Sequence, residues 1–394
     1  MLYKLIGLII ALSAVVIFNV VMPRESYNEI ASEIVHPYAA SIEQQDGELR
    51  SQLDDGDREL YDVIKKGLLE YDTEIVVRRF SYTEDDIQNV MWYIMQDSPE
   101  IFWVEWKWDV RSQTDGFTIV PSYIFDTAEI DAKRAELEQA AEEIVGEAEA
   151  AGDTSLARVR YVHDYLIQNC TYNEDAGNVA HTSYGAIMGH EAVCDGYTQA
   201  VRLLLGKLGI ESRYVEGTAT SDGRTQGHAW NLVKIEDSWC NMDVTWDDGD
   251  HTDSDGNPTG LVSYTYFLLS DDEMTADHTV DNRAELPECA GFDYFSYVGL
   301  SGASLKDISV GVTDTLFANA KQGRYYVQFR ITDPEQYKAT ASSDIFGLGM
   351  TDIVNDVNSA LELMGYSQRI YDLSCECHQD TDHDLLLVIF EEAD

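Results

Sequence analysis

Ala192-Val193-Cys194-Asp195-Gly196-Tyr197 is the stretch on which the reading of this chain turns. It sets a cysteine at the start of an amphipathic helix. Beyond Tyr197, apolar residues recur at Ala200, Val201, Leu204, Leu205 and Leu208, which is helical spacing, and Gly209 supplies the stop. A thiol in the first turn meets the positive end of the helix dipole, which favours the thiolate and so prepares a nucleophile. One cysteine decides nothing alone, so the weight falls on what the chain brings beside it.

Downstream, Glu211–Gly217 reads as a strand and 217–227 as a polar, glycine-containing loop. Two further strands follow, from His228 to Ile235 and from Ser238 to Trp246, with Glu236-Asp237 as a two-residue hairpin turn. That turn sets position 228 opposite 245. Because side chains alternate, His228 and Asp243 then point to the same face as diagonal neighbours, roughly 7–8 Å apart at Cα. A turn with an odd number of residues would separate them. Cysteine at a helix start, histidine on a strand and aspartate on the paired strand are the parts of a thiol acyl-transfer site. Cys194 would attack a carboxamide carbonyl, His228 would carry the proton, and Asp243 would orient the imidazole. The backbone N–H of Cys194 is the natural oxyanion donor, with Tyr184 as the side-chain candidate.

The residues around this constellation resemble the transglutaminase-like superfamily, in its bacterial exported and surface branch. The resemblance is carried by His163-Asp164-Tyr165-Leu166 with Thr171-Tyr172, by Tyr184-Gly185-Ala186, and by Ala192 to Tyr197. It continues through Gly209-Ile210, Gly227-His228-Ala229-Trp230-Asn231, Trp239 and Asp243-Val244-Thr245-Trp246-Asp247-Asp248, and spans roughly residues 55 to 280. It implies a papain-like α+β core, a nucleophile helix packed on an antiparallel sheet, with the family triad on Cys194, His228 and Asp243. Cys240 stands where such sequences more often carry an aromatic. Members include transglutaminases, peptidases, amidases and proteins that have lost activity, so the resemblance leaves the acyl acceptor open.

Elsewhere the periodicity predicts helices with Leu60, Val63, Ile64 and Leu68 on one face, and with Ile87, Val90, Met91, Ile94 and Met95 behind a Thr83 cap. A strand is expected at 74–80. Phe102, Val104, Trp106, Trp108 and Val110 alternate as a strand facing a second one at 117–125, which fits a half-buried sheet better than a carbohydrate platform. A helix from about Ile130 to Ala150 follows, and then one capped by Asp153 or Thr154 that runs to about Gln168. The His163-Asp164 pair on the latter has no second ligand at helical spacing and reads as a packing or hydrogen-bonding residue. The acidic segment 247–258 fails the EF-hand pattern, with His251 and Val262 at the first and last ligand positions, and reads as a solvated insertion. Towards the end, Tyr325, Val327, Phe329 and Ile331 alternate, Ile353, Val357, Leu361 and Met364 mark a helix, and 385–390 is an apolar strand. Cys375-Glu376-Cys377-His378, with His383 nearby, has zinc-ligand chemistry but matches no standard spacing.

The 394 residues carry 26 basic and 72 acidic side chains, a net charge of −46 that disfavours nucleic acid and anionic lipid head groups as partners. Residues 5–22 are almost uninterruptedly apolar; at about 27 Å as a helix they just reach across a bilayer core of about 30 Å. No small-x-small cleavage triplet follows them. They are expected to be a single-pass membrane anchor with the acidic body outside the cytoplasm, or a cleaved signal. The six cysteines suggest no disulfide framework. The expected organisation is an anchor at 1–23, a polar stalk at 24–53, an α/β leader at 54–150, the catalytic core at 151–290 and a small α+β domain at 300–394. The leading function is a cofactor-free enzyme at the cell surface that forms a Cys194 thioester from a peptide or glutamine amide, with a protein or peptide as substrate. Water as acceptor makes it a peptidase or amidase; an amine makes it a cross-linking transglutaminase. The alternative is a non-catalytic surface adhesion or scaffold protein retaining the fold. A metal-dependent hydrolase is the weakest reading, for want of a paired-ligand motif.

Overall fold

Asp54, Thr83, Asp126 and Thr154 each stand directly before a helix and take its first free N–H groups on a side-chain oxygen. In the computed structural model those helices are α1 (Asp55–Leu69), α2 (Glu84–Asp97), α3 (Thr127–Ala151) and α4 (Ser155–Asn169). The structure describes residues 48–78, 82–221, 223–249, 261–281, 285–341 and 345–392. The apolar run 5–22 and most of the acidic segment 247–258 lie outside them. Among the described residues no helix is long and apolar enough to cross a membrane. Met1–Leu53 and Asp54–Asp394 are separate units, and every element from α1 onward belongs to the second.

The first sheet joins β1 (Ile75–Val77), β2 (Val104–Gln113) and β3 (Gly116–Tyr123) in the antiparallel order β1-β3-β2. Trp103 is buried with its Nε1 donating to the Leu68 carbonyl oxygen, and Trp106 packs against Trp92 and Tyr214. These rings are core and interface, not a platform. On α1 the buried face is Leu60, Tyr61, Ile64 and Leu68, while Val63 is exposed, contrary to the sequence pattern. Tyr61 takes the inward position one residue round the helix.

The chain then forms a two-stranded parallel pair, β4 (Thr171–Tyr172) with β5 (Glu191–Ala192), which delivers it into α5 (Cys194–Lys207). Gly209, at φ 70°, adopts the left-handed conformation that ends the helix. The second sheet contains β6 (Ser212–Ser221), β7 (Arg224–Ile235), β8 (Ser238–Met242), β9 (Phe267–Leu269) and β10 (His278–Val280). Its antiparallel order is β10-β6-β7-β8-β9, and α5 packs across β6 and β7. The expected turn is present: Ile235 pairs with Ser238, and Glu236 takes φ 53° in between. The β7–β8 ladder runs from there to Asn231 opposite Met242.

A third sheet, in the order β11-β12-β14-β13, holds β11 (Ser301–Gly302), β12 (Tyr326–Ile331), β13 (Ile370–Asp380) and β14 (Leu385–Glu392). Helices Ser309–Ala320 and Met350–Leu363 pack on it. Met364 caps the second of these and is exposed, so the expected inward stripe stops at Leu361. The third sheet is joined to the second through the segment preceding β9. Leu261 shares a core cluster with Tyr326 and Leu387, the Val262 N–H donates to the Tyr326 hydroxyl, and Gln328 bonds to the Tyr264 N–H and the Thr265 hydroxyl. The molecule is α+β.

Candidate active site

Val193 is extended and makes no side-chain cap, so the thiol of Cys194 stands at the first helical position with free backbone N–H groups around it. The next turn must pass close to the chain at Ala180, where a Cβ on Gly196 would lie 2.2 Å from the carbonyl oxygen. That contact explains the glycine and fixes the cysteine's height. The N–H groups of Ala229 and Asp195 point to the Cys194 sulfur, and Ala229 directly follows His228 on β7.

Asp243 reaches His228 by a different route from a cross-strand pair. The chain leaves the ladder after Met242, and Asp243 becomes the N-cap of the short helix α6 (Val244–Asp247). Its Oδ1 accepts the N–H groups of Thr245 and Trp246, and its Oδ2 lies 2.5 Å from His228 Nε2. Both side chains are almost completely buried. Strand parity puts the two groups on one face, and the cap sets the distance. Burial would raise the Asp243 carboxyl, but the charges and hydrogen bonds of His228 and His278 outweigh it and hold the group well below the usual carboxylate range.

The thiol behaves differently from what its helix position suggests. Burial and the neighbouring Asp195 carboxylate, with a further contribution from Asp243, push Cys194 up to about 12 against the two backbone N–H groups. The dipole favours a thiolate; loss of water and two nearby carboxylates favour the thiol, and they win. Asp195 is itself held by the Tyr214 hydroxyl and His181 Nδ1, each at 2.6 Å.

Tyr184 is engaged by other partners. Its ring stacks on Phe102 with centroids 4.8 Å apart, its hydroxyl donates to Glu136, and Lys133 lies over its face. Its ring also meets Phe125, with centroids 5.5 Å apart, so the side chain packs in an aromatic cluster.

Three groups escaped the sequence reading. His278 Nε2 lies 3.2 Å from Asp243 Oδ2, and its Nδ1 lies 2.5 Å from Asp277. Its three-residue edge strand is too short to show periodicity, and only the Asp277-His278 dipeptide could have drawn attention. His181 and Tyr214, on Asp195, carried no pattern at all. His163 forms the hydrogen bonds expected of it: Nδ1 to Asp164 at 3.0 Å and Nε2 to Asp247 at 3.1 Å. It thereby ties α4 to the short helix that Asp243 caps.

His228, Asp243 and His278 place one ligand atom each within 4.8 Å of one another, the one such group among the described residues. Those atoms are already engaged with each other. Cys375, Cys377, His378 and His383 form no such group; His383 Nδ1 is 3.0 Å from Asp380 instead.

Comparison with known proteins bears on this geometry directly. Residues 138–244 match the family model of the transglutaminase-like superfamily. These residues belong to that superfamily. The transglutaminase-like core so defined contains Cys194, His228 and Asp243 and stops one residue later, leaving His278 outside. Human kyphoscoliosis peptidase is 24% identical over 171 residues, covering 40% of this chain and 26% of that protein. The mouse protein of the same name is 23% identical over 172 residues, 41% of this chain and 26% of its own length. The chain thus spans about a quarter of the curated relatives it matches. A crystal structure of a TGase superposes with a TM-score of 0.26 at 13% identity, covering 38% of this chain and 46% of the other.

Proposed function

We propose that this protein is a thiol-dependent acyl-transfer enzyme acting on peptide or glutamine amide bonds through a thioester on Cys194. The observation that carries the reading is the arrangement around one sulfur: a cysteine at a helix start, touched by the N–H following His228, with His228 backed by a buried Asp243. In the proposed reaction the Cys194 Sγ attacks the carbonyl carbon, and His228 takes the thiol proton on Nδ1, since Nε2 is occupied by Asp243. The same proton passes to the leaving amine as the C–N bond breaks. Water then releases an acid, or an amine releases a new amide, and the thiol is restored. Asp243 keeps the imidazole in the required tautomer. The Cys194 N–H, at the helix start, is the proposed oxyanion donor. The substrate class is protein or peptide, and the site of action is the cell surface, with residues 5–22 as the anchor.

One observation favours the second reading, a scaffold protein with the fold and no chemistry. Burial and Asp195 hold Cys194 in its thiol form up to about pH 12. The enzyme reading answers that His228 takes the thiol proton as the sulfur attacks the substrate carbonyl. Carboxamidomethylation with iodoacetamide across pH separates the two. The enzyme requires selective modification of Cys194 at neutral pH, slowed at least tenfold in His228→Ala. A thiol that reacts only at strongly alkaline pH, equally in both proteins, would establish the scaffold. Incubation with a glutamine peptide, with and without a primary amine, then assigns the acceptor.

A further inference from the structure

Behind the Asp243 carboxylate stands a second histidine that belongs to neither the family match nor the triad. His278 lies on β10, separated from His228 on β7 by the intervening strand β6. Across a strand of ordinary residues two imidazoles would not meet. Here β6 presents Gly217 opposite His228 and Ala219 opposite His278, and the ring centroids come within 5.3 Å. Both Nε2 atoms point at the same oxygen, Asp243 Oδ2, at 2.5 and 3.2 Å. The other nitrogen of His278 faces Asp277 Oδ1 at 2.5 Å, and the second oxygen of Asp277 accepts the Tyr266 hydroxyl at 2.6 Å.

A neutral imidazole has one N–H, so it would aim a lone pair at one of two carboxylates. The imidazolium donates to both. We propose that His278 is a positioning residue: a charged imidazolium that shares Asp243 with His228 and fixes the direction in which the carboxylate meets it. The groups facing it are Asp243 from the α6 cap, Asp277 from its own strand and His228 from β7, with the Tyr266 hydroxyl behind Asp277. His383, held by Asp380 on the third sheet, packs on Tyr266 with ring centroids 5.2 Å apart. Burial opposes a charge on His278, but the bonds to Asp243 and Asp277 outweigh it, so its titration lies above that of an ordinary histidine.

The consequence for the triad is geometric. Asp243 Oδ2 receives two Nε2 groups, so removing His278 frees the carboxylate to turn away from His228. The role rests on His228 being the base of the proposed reaction; the charge on His278 does not. Nitrogen-15 NMR of the histidine rings in the full chain tests both without turnover, with signals assigned by His228→Gln and His278→Gln. Wild-type His278 should carry protons on both nitrogens at pH 7.5, and His278→Gln should move the His228 Nε2-bound proton signal upfield as its hydrogen bond to Asp243 loosens. Two results would overturn the proposal: a bare nitrogen on wild-type His278 at that pH, or an unmoved His228 Nε2-bound proton signal in folded His278→Gln. A chain whose Cys194 resists alkylation would sink the acyl-transfer reading while leaving the NMR result intact.

Discussion

His163 is completely buried, with a carboxylate on each ring nitrogen, Asp164 on one side and Asp247 on the other. Burial works against its charge, yet the hydrogen bonds and charges of those two aspartates raise it from 6.5 to about 9. A histidine raised on folding contributes stability that is fully present below its unfolded value and lost as pH climbs through the folded one. For His163 that window runs from 6.5 to about 9, and the contribution is roughly 3 kcal/mol. Urea unfolding of the wild type and of His163→Gln at pH 6, 8 and 10 measures it: their difference should shrink across the window. A difference independent of pH would mean His163 is neutral when folded. The sequence showed His163-Asp164 but not Asp247, 84 residues away, which turns a neighbouring pair into a buried triad.

At the scale of elements, the hairpin was the most legible part of the site. A two-residue turn and strict alternation pointed His228 and Asp243 to one face. What alternation could not convey is that the ladder stops at Met242 and that Asp243 acts as a helix cap. Nor could it reveal β10, three residues long, pairing with β6 and bringing His278 in. The width of β6 makes that meeting possible. A Cβ on Gly217 would lie 2.1 Å from the Thr279 carbonyl oxygen and 2.8 Å from the Trp230 ring. Gly217→Ala should therefore push β10 outward and cost about 1–3 kcal/mol in denaturant unfolding. Unchanged stability would show that the β6–β10 pairing yields easily to a methyl group.

Across the whole molecule, composition spoke about charge and little else. A net charge of −46 means the folded chain works against its own repulsion, which added salt screens. Raising sodium chloride from about 20 mM to about 500 mM, where the screening length drops from roughly 20 Å to 4 Å, should raise Tm by several degrees. A lowered Tm would show that paired charges such as Lys207–Glu138 and Arg202–Asp97 outweigh the general repulsion. The C-terminal sheet was foreseen as strands and a helix, but not its neighbours, since Tyr326 and Gln328 look in sequence like ordinary strand residues. Both bond to the segment 261–265, which runs straight into β9 at the edge of the sheet that carries His228. Cutting the chain before residue 300 would therefore strip the cover from Leu261 and leave the N–H groups of Val262 and Tyr264 without acceptors. The last hundred residues thus help hold the edge of the sheet that carries His228, and a shortened chain whose Cys194 reacted differently would be reporting lost architecture rather than lost chemistry.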